Sequence, residues 1–229
     1  MQAQDTTTLF LLKLWPWVEA NKNRLIAGGA IAVLAIFVYS FFSWQGKQKE
    51  IAAGQALTQV ALAGGAPAAA YLKIAEQHPG TIAGQRALLQ GAAALFDAGK
   101  FSDAQTQFQK FLDAHSDSEF SGQAALGVAA SLDAQGKTDL AVGAYQRVVN
   151  SSSDVTVMNA AKFGLARIEE SQGRLNDALV HYQDIARANP GGSLGSEATM
   201  RLMELRSKLP APAPATNAAA PLLKTGPSK

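Results

Sequence analysis

The chain of 229 residues contains no cysteine. That excludes a disulfide framework, a thiolate nucleophile and a lipid-bearing N-terminal cysteine. Only three histidines occur, His78, His115 and His181, none four residues from another. With no carboxylate triplet to join them, a metal site is not expected. Charge is sparse too: charged residues make up 17% and the net charge is +2. The concentrated basic patch that phosphate recognition requires is missing, so nucleic acid is not an expected partner. Neither a P-loop nor a dinucleotide fingerprint is present. The sequence therefore predicts a protein that is not an enzyme, with no cofactor and no small-molecule substrate.

What the chain does have is an uncharged run, LIAGGAIAVLAIFVYSFFSW, 20 residues from Leu25 to Trp44. As a helix rising about 1.5 Å per residue it reaches about 30 Å, the thickness of a bilayer's hydrocarbon core. Trp15, Trp17 and Trp44 stand where amphipathic rings sit at headgroup level, and Lys22, Arg24, Lys47 and Lys49 flank the run. A cleaved signal peptide has a shorter apolar core, about 7–15 residues, followed by a small-x-small site. Here the run ends FFSWQGKQK, the form of a permanent anchor. Lys13, Lys22 and Arg24 outnumber Lys47 and Lys49, which favours a cytoplasmic arm at 1–24, a transmembrane helix at 25–44 and an extracytoplasmic remainder. The lead LFLLKLWPW, broken by Pro16, reads either as an interfacial segment or as an unstructured apolar arm.

Beyond the span the sequence repeats with a period of 37 residues. Tyr71, Phe108, Tyr145 and Tyr182 fall in one column; Ala104, Ala141 and Ala178 in another; Gly99, Gly136 and Gly173 in a third; and Leu89, Leu126, Phe163 and Met200 in a fourth. Such a period marks a stacked supersecondary unit. Each unit predicts two helices. The first spans 81–98, 118–135 and 155–172, ending at a column glycine able to take the left-handed conformation that closes a helix. The second spans 101–114, 138–150 and 175–188, with Ser102, Asp139 or Asn176 as candidate N-caps. In the last of these, Leu175, Ala178, Leu179, Tyr182 and Ile185 form the expected buried stripe. A weaker unit precedes these, and an unpaired helix near 193–208 would cap the stack. Past Leu209, alternating Pro and Ala predicts a disordered tail over 210–229.

Gly followed by Lys or Arg, then Ala five residues after the Gly and an aromatic four further on, resembles the second half of the tetratricopeptide repeat. QGKTDLAVGAYQRV and QGRLNDALVHYQDI carry it best. Two departures stand out: the unit exceeds the usual length of about 34 residues, and the early aromatic of the first helix is replaced by Leu88, Ala125, Lys162 and Thr199. The resemblance implies an all-α chain, with one N-terminal transmembrane helix and then an α-solenoid of helical hairpins over 47–209 ending in a capping helix. It further implies a concave surface for another polypeptide, lined by Arg86, Leu89, Phe96, Gln123, Leu126, Asp133, Phe163, Arg167, Glu170 and Met200. The alternative is that these side chains pack within the stack.

Arm, span and repeat domain together resemble the ancillary subunit family of the bacterial SecYEG translocon. That resemblance implies a single-pass protein of the bacterial inner membrane with its repeats in the periplasm. Its partners would be translocon subunits, periplasmic chaperones or secreted clients, and the lipid bilayer through 25–44. The alternative is a scaffold for outer-membrane assembly or division complexes.

Overall fold

The computed structural model describes residues 15–63 and 67–209, and every regular element among them is a helix. The contacts divide the chain into two compact units, Met1–Ala98 and Gly99–Lys229. The expected tail at 210–229 and the first part of the arm, 1–14, lie outside the described residues.

The first unit holds α1 (Lys22–Leu62), α2 (Ala68–Gln77) and α3 (Ile82–Asp97). At 41 residues, α1 is about 60 Å long. Its apolar stretch has a mean hydropathy of 2.3 and none of it is buried, and no other described helix is long and apolar enough to cross a membrane. Ile26, Ile31, Phe37 and Phe42 are all exposed, so the helix is apolar on every side. The same helix continues through Lys47 and Lys49 into the unit's core, where Ala53 is fully buried. Candidate span and repeat region are thus one helix, not two elements joined by a linker.

Glu50 of α1 joins that helix to α3. Its two carboxylate oxygens accept from the backbone N–H groups of Ile82 (2.8 Å) and Ala83 (2.9 Å). Thr81, the N-cap, accepts from Gly84 at 2.9 Å. A helix begins with N–H groups that lack partners within it, and here the first three are all met, two of them by a side chain 32 and 33 residues away. The carboxylate also sits at the positive end of the helix dipole.

The second unit is an α-solenoid of α4 (Phe101–Ala114), α5 (Ser121–Ala134), α6 (Thr138–Ser151), α7 (Val155–Ser171), α8 (Leu175–Ala188) and α9 (Ser193–Lys208). Each helix packs on the next, and α5 packs also on α7. Ala104, Ala141 and Ala178 are fully buried, the small-residue column that lets helices approach closely. Of the expected stripe on α8, Ala178, Tyr182 and Ile185 are fully buried and Leu175 and Leu179 pack on that cluster half-buried. The last helix, α9, buries Ala198, Leu202 and Leu205 and exposes Met200 and Met203, as a terminal cap does.

Gly136 and Gly173 adopt φ of 73° and 76°. Each closes its helix with paired bonds, Gly136 N to Asp133 O and Lys137 N to Leu132 O (2.8 and 3.0 Å), and Gly173 N to Glu170 O and Arg174 N to Glu169 O (3.0 and 2.8 Å), which is a Schellman closure. The closure overturns the expected caps. The residue after the glycine, Lys137 or Arg174, is already the N-cap of the next helix, as Lys100 is for α4, and none of the three makes a side-chain cap. Ser102, Asp139 and Asn176 therefore lie inside the first turn, because the three-residue link puts the N-cap position on the basic residue directly after the glycine. A second difference is at α5, which starts at Ser121, not 118: residues 115–120 form successive turns, Ser118 N to His115 O and Ser121 N to Ser118 O.

Candidate protein-docking surface

A cleft of about 980 Å³ in the second unit lies across the N-terminal ends of α5 and α7 and the loops leading into them. Leu112, Phe120, Leu126 and Val157 give it an apolar, half-buried lining. Asp117, Glu119 and Asp154 bring three carboxylates to its walls, Ser118, Ser121, Ser151, Ser152, Ser153 and Thr156 bring hydroxyls, and no Lys, Arg or His lines it.

Local sequence shapes both loops. Asp154 caps α7, its Oδ1 accepting from Thr156 N at 2.7 Å and Val157 N at 3.4 Å. Ser152 Oγ in turn accepts from Asp154 N at 3.2 Å. On the other wall Ser118 Oγ accepts from Phe120 N at 3.3 Å. Side chains of this type favour turns because they satisfy nearby backbone groups.

Of the residues expected to form a binding groove, the cleft gathers Gln123 and Leu126. Further along α5 and α7, Arg167 pairs with Asp133 at 3.7 Å. Phe163 is half-buried, its ring edge-on to Tyr182 at 5.4 Å, and Glu170 accepts from the Tyr182 hydroxyl at 3.1 Å. Met200 is exposed on α9. In the first unit Arg86 is exposed, Phe96 is half-buried and Leu89, at 4% exposure, belongs to the core. Burial, with a smaller contribution from Asp133, pushes the Tyr145 hydroxyl up to about 12. Tyr182 is raised as well, by burial first and then by Glu170. Both phenols stay neutral donors at any ordinary pH.

Sequence reading missed the cleft's acidic walls and two glycines, Gly127 and Gly164. A methyl on Gly127 would lie 2.6 Å from the Phe108 ring, and one on Gly164 would strike Tyr145. Phe108 and Tyr145 therefore each press on the next first helix at a position with no side chain. The signal was there, since these glycines are also 37 residues apart. Residues 191–195, Gly-Gly-Ser-Leu-Gly, spell G-x-S-x-G. A nucleophile elbow needs a strand-to-helix turn. Here the segment links α8 to α9 and Ser193 opens a helix.

The family model for the tetratricopeptide repeat-like domain matches residues 16–142, more than half the chain. The chain belongs to this family. A second tetratricopeptide repeat model matches residues 132–193, so the tetratricopeptide assignment runs from the long N-terminal helix through α8. The chain is a tetratricopeptide-like scaffold for protein–protein contact. Among solved structures, a tetratricopeptide repeat protein from Parabacteroides merdae superposes with a TM-score of 0.52 at 12% identity. That match covers 70% of this chain and 61% of the Parabacteroides chain. The Yersinia enterocolitica type III secretion chaperone SycD, solved with a peptide of the translocator YopD, has a TM-score of 0.44 at 21% identity, covering 53% of this chain and 91% of SycD. Comparison with curated proteins gives no match.

Proposed function

We propose that α1 anchors this tetratricopeptide protein in the bacterial inner membrane, with residues 1–24 cytoplasmic and the helical units in the periplasm. There the second unit docks other polypeptides without turnover, as an ancillary factor that passes chains from the translocon to periplasmic chaperones. The observation that carries the reading is the unburied apolar half of α1, continuous with a repeat unit that it helps to build. A helix apolar on all sides needs either a protein core or a bilayer around it, and among the described residues no core covers this one. The basic residues before the span support the stated orientation.

Two measurements test it. A phosphatase fused after Leu209 should be active; an inactive phosphatase with an active cytoplasmic reporter at the same site reverses the topology and removes the periplasmic role. A photo-crosslinking residue at Leu126 should capture translocon subunits or periplasmic chaperones in native membranes. Capture of outer-membrane or division factors instead would move the protein to envelope scaffolding.

A further inference from the structure

Resting on that reading of the second unit as a docking surface, we propose that its cleft between α5 and α7 selects a partner segment in which Lys or Arg residues flank an apolar side chain. The lining dictates the chemistry. Leu112, Phe120, Leu126 and Val157 offer an apolar seat, and three carboxylates with no cation among them stand around it. Several other carboxylates of this unit meet cations: Asp133 pairs with Arg167, Asp184 with Lys162, Asp177 with Arg174 and Glu204 with Lys208. Asp117, Glu119 and Asp154 take part in no ion pair among the described residues. The whole chain carries +2, so its overall charge does not draw in cations. The negative field belongs to the cleft.

The three carboxylates hold different positions. Asp154 is committed through Oδ1 to the start of α7. Asp117 and Glu119 lie on the exposed turn before α5, where a bound cation would remain close to water. Charges at a rim of this kind act on encounter and selection more than on the depth of binding. The apolar seat supplies affinity, and the carboxylates decide which apolar segment is kept. A segment bearing Asp or Glu would place like charges together and be rejected.

The probe is a fluorescein-labelled twelve-residue peptide alternating Leu with Lys, compared with its Gln-for-Lys and Glu-for-Lys counterparts. All three are titrated by anisotropy against the full chain in a neutral detergent. The Lys peptide should bind tightest, weaken with added salt and be the only one to do so. Asp117→Asn with Glu119→Gln should reduce its affinity about tenfold, the sum of two exposed pairs, and leave the Gln peptide unchanged. Asp154 is kept so that α7 retains its cap. As a control, Asp103→Asn with Asp139→Asn, acids outside the cleft, should change nothing.

Equal binding of the three peptides, or loss that follows the control pair as much as the cleft pair, overturns the charge selection. Self-association of the chain that the Lys peptide does not displace also overturns it, since the cleft then serves a second copy. Failure here is distinct from failure of the docking reading. A Leu126 crosslink to translocon or chaperone subunits with no preference for the Lys peptide removes only the selection rule, whereas absence of any Leu126 crosslink removes the docking surface itself.

Discussion

Two glycines in helix interiors should respond oppositely to the same substitution. Gly143 lies within α6 with nothing within 4 Å of where a methyl would stand, and Gly164 lies within α7 with the Tyr145 ring against it. Glycine costs a helix interior about 1 kcal/mol relative to alanine, so Gly143→Ala should stabilise by about that amount. Gly164→Ala gains the same propensity term but drives a methyl into the ring, 2.7 Å from Cε1 and 2.8 Å from Cε2. Ordinary carbon contacts are about 3.5–4.0 Å. Tyr145 is 4% exposed, so the ring has no space into which to retreat. Overpacking of this kind costs about 1–3 kcal/mol. Since propensity is common to both variants, their difference isolates the packing term and should equal that 1–3 kcal/mol. Thermal melting of the full chain in detergent reads it as roughly 2–4 °C per kcal/mol. In a Tyr145→Leu background the penalty at Gly164 should shrink, because the two residues are coupled by contact. Equal stabilisation by Gly143→Ala and Gly164→Ala would show that the aromatic column does not press on the next helix.

The same physics applies to the alanine column: Ala141→Leu should cost about 1–3 kcal/mol, with Ala104→Leu and Ala178→Leu alike, and near-neutral melting shifts for all three would show that this column is not a close helix contact. Glu50→Ala leaves the N–H of Ala83, a residue only 6% exposed, without its acceptor, at about 1–3 kcal/mol; hydrogen exchange at amides 82 and 83 should accelerate, and unchanged protection would rule out the tertiary cap. Glu169 is buried on α7 with its Oε2 unpartnered, beside His181 at 3.6 Å and Arg174 at 4.0 Å. Burial raises its pKa above the ordinary 4.5 and the charges of His181 and Arg174 pull the other way. A carboxyl raised in the folded state contributes stability that is complete below its unfolded value and fades as pH climbs through the raised one. Glu169→Gln should therefore flatten the fall in melting temperature from pH 4.5 upward, and an identical slope in both proteins would refute the assignment.

Helix positions and the fold class were legible because the alanine column and most of the aromatic column, 37 residues apart, are made of residues whose burial is forced. A buried Ala, Gly or aromatic is constrained by its neighbour in space, and the repeat copies that constraint along the chain. Helix ends were less legible. Ser102, Asp139 and Asn176 have cap chemistry, but the length of a link is set by the glycine closure before it. Register in the first unit was hidden for a related reason. A methyl on Gly91 would strike Leu72, the residue after Tyr71, and Leu72 precedes Gly91 by the same 19 positions that separate Phe108 from Gly127 and Tyr145 from Gly164. Leucine thus fills the aromatic's place there, and matching by side-chain type put Tyr71 in the wrong row.

The acidic cleft was out of reach of any repeat argument because it is built from what the units do not share. Residues 115–120 and 152–154 are links between helices, and a solenoid constrains its links only to reach from one helix to the next. Their composition can therefore differ from unit to unit without loss of the stack. In this chain the links around α5 and α7 carry Asp117, Glu119 and Asp154 beside the apolar Leu126 and Val157. The repeat supplies a rigid frame that brings two such loops side by side, and the loops supply the charge. A family assignment fixes the frame alone. What a member binds has to be read from the residues on which its units differ.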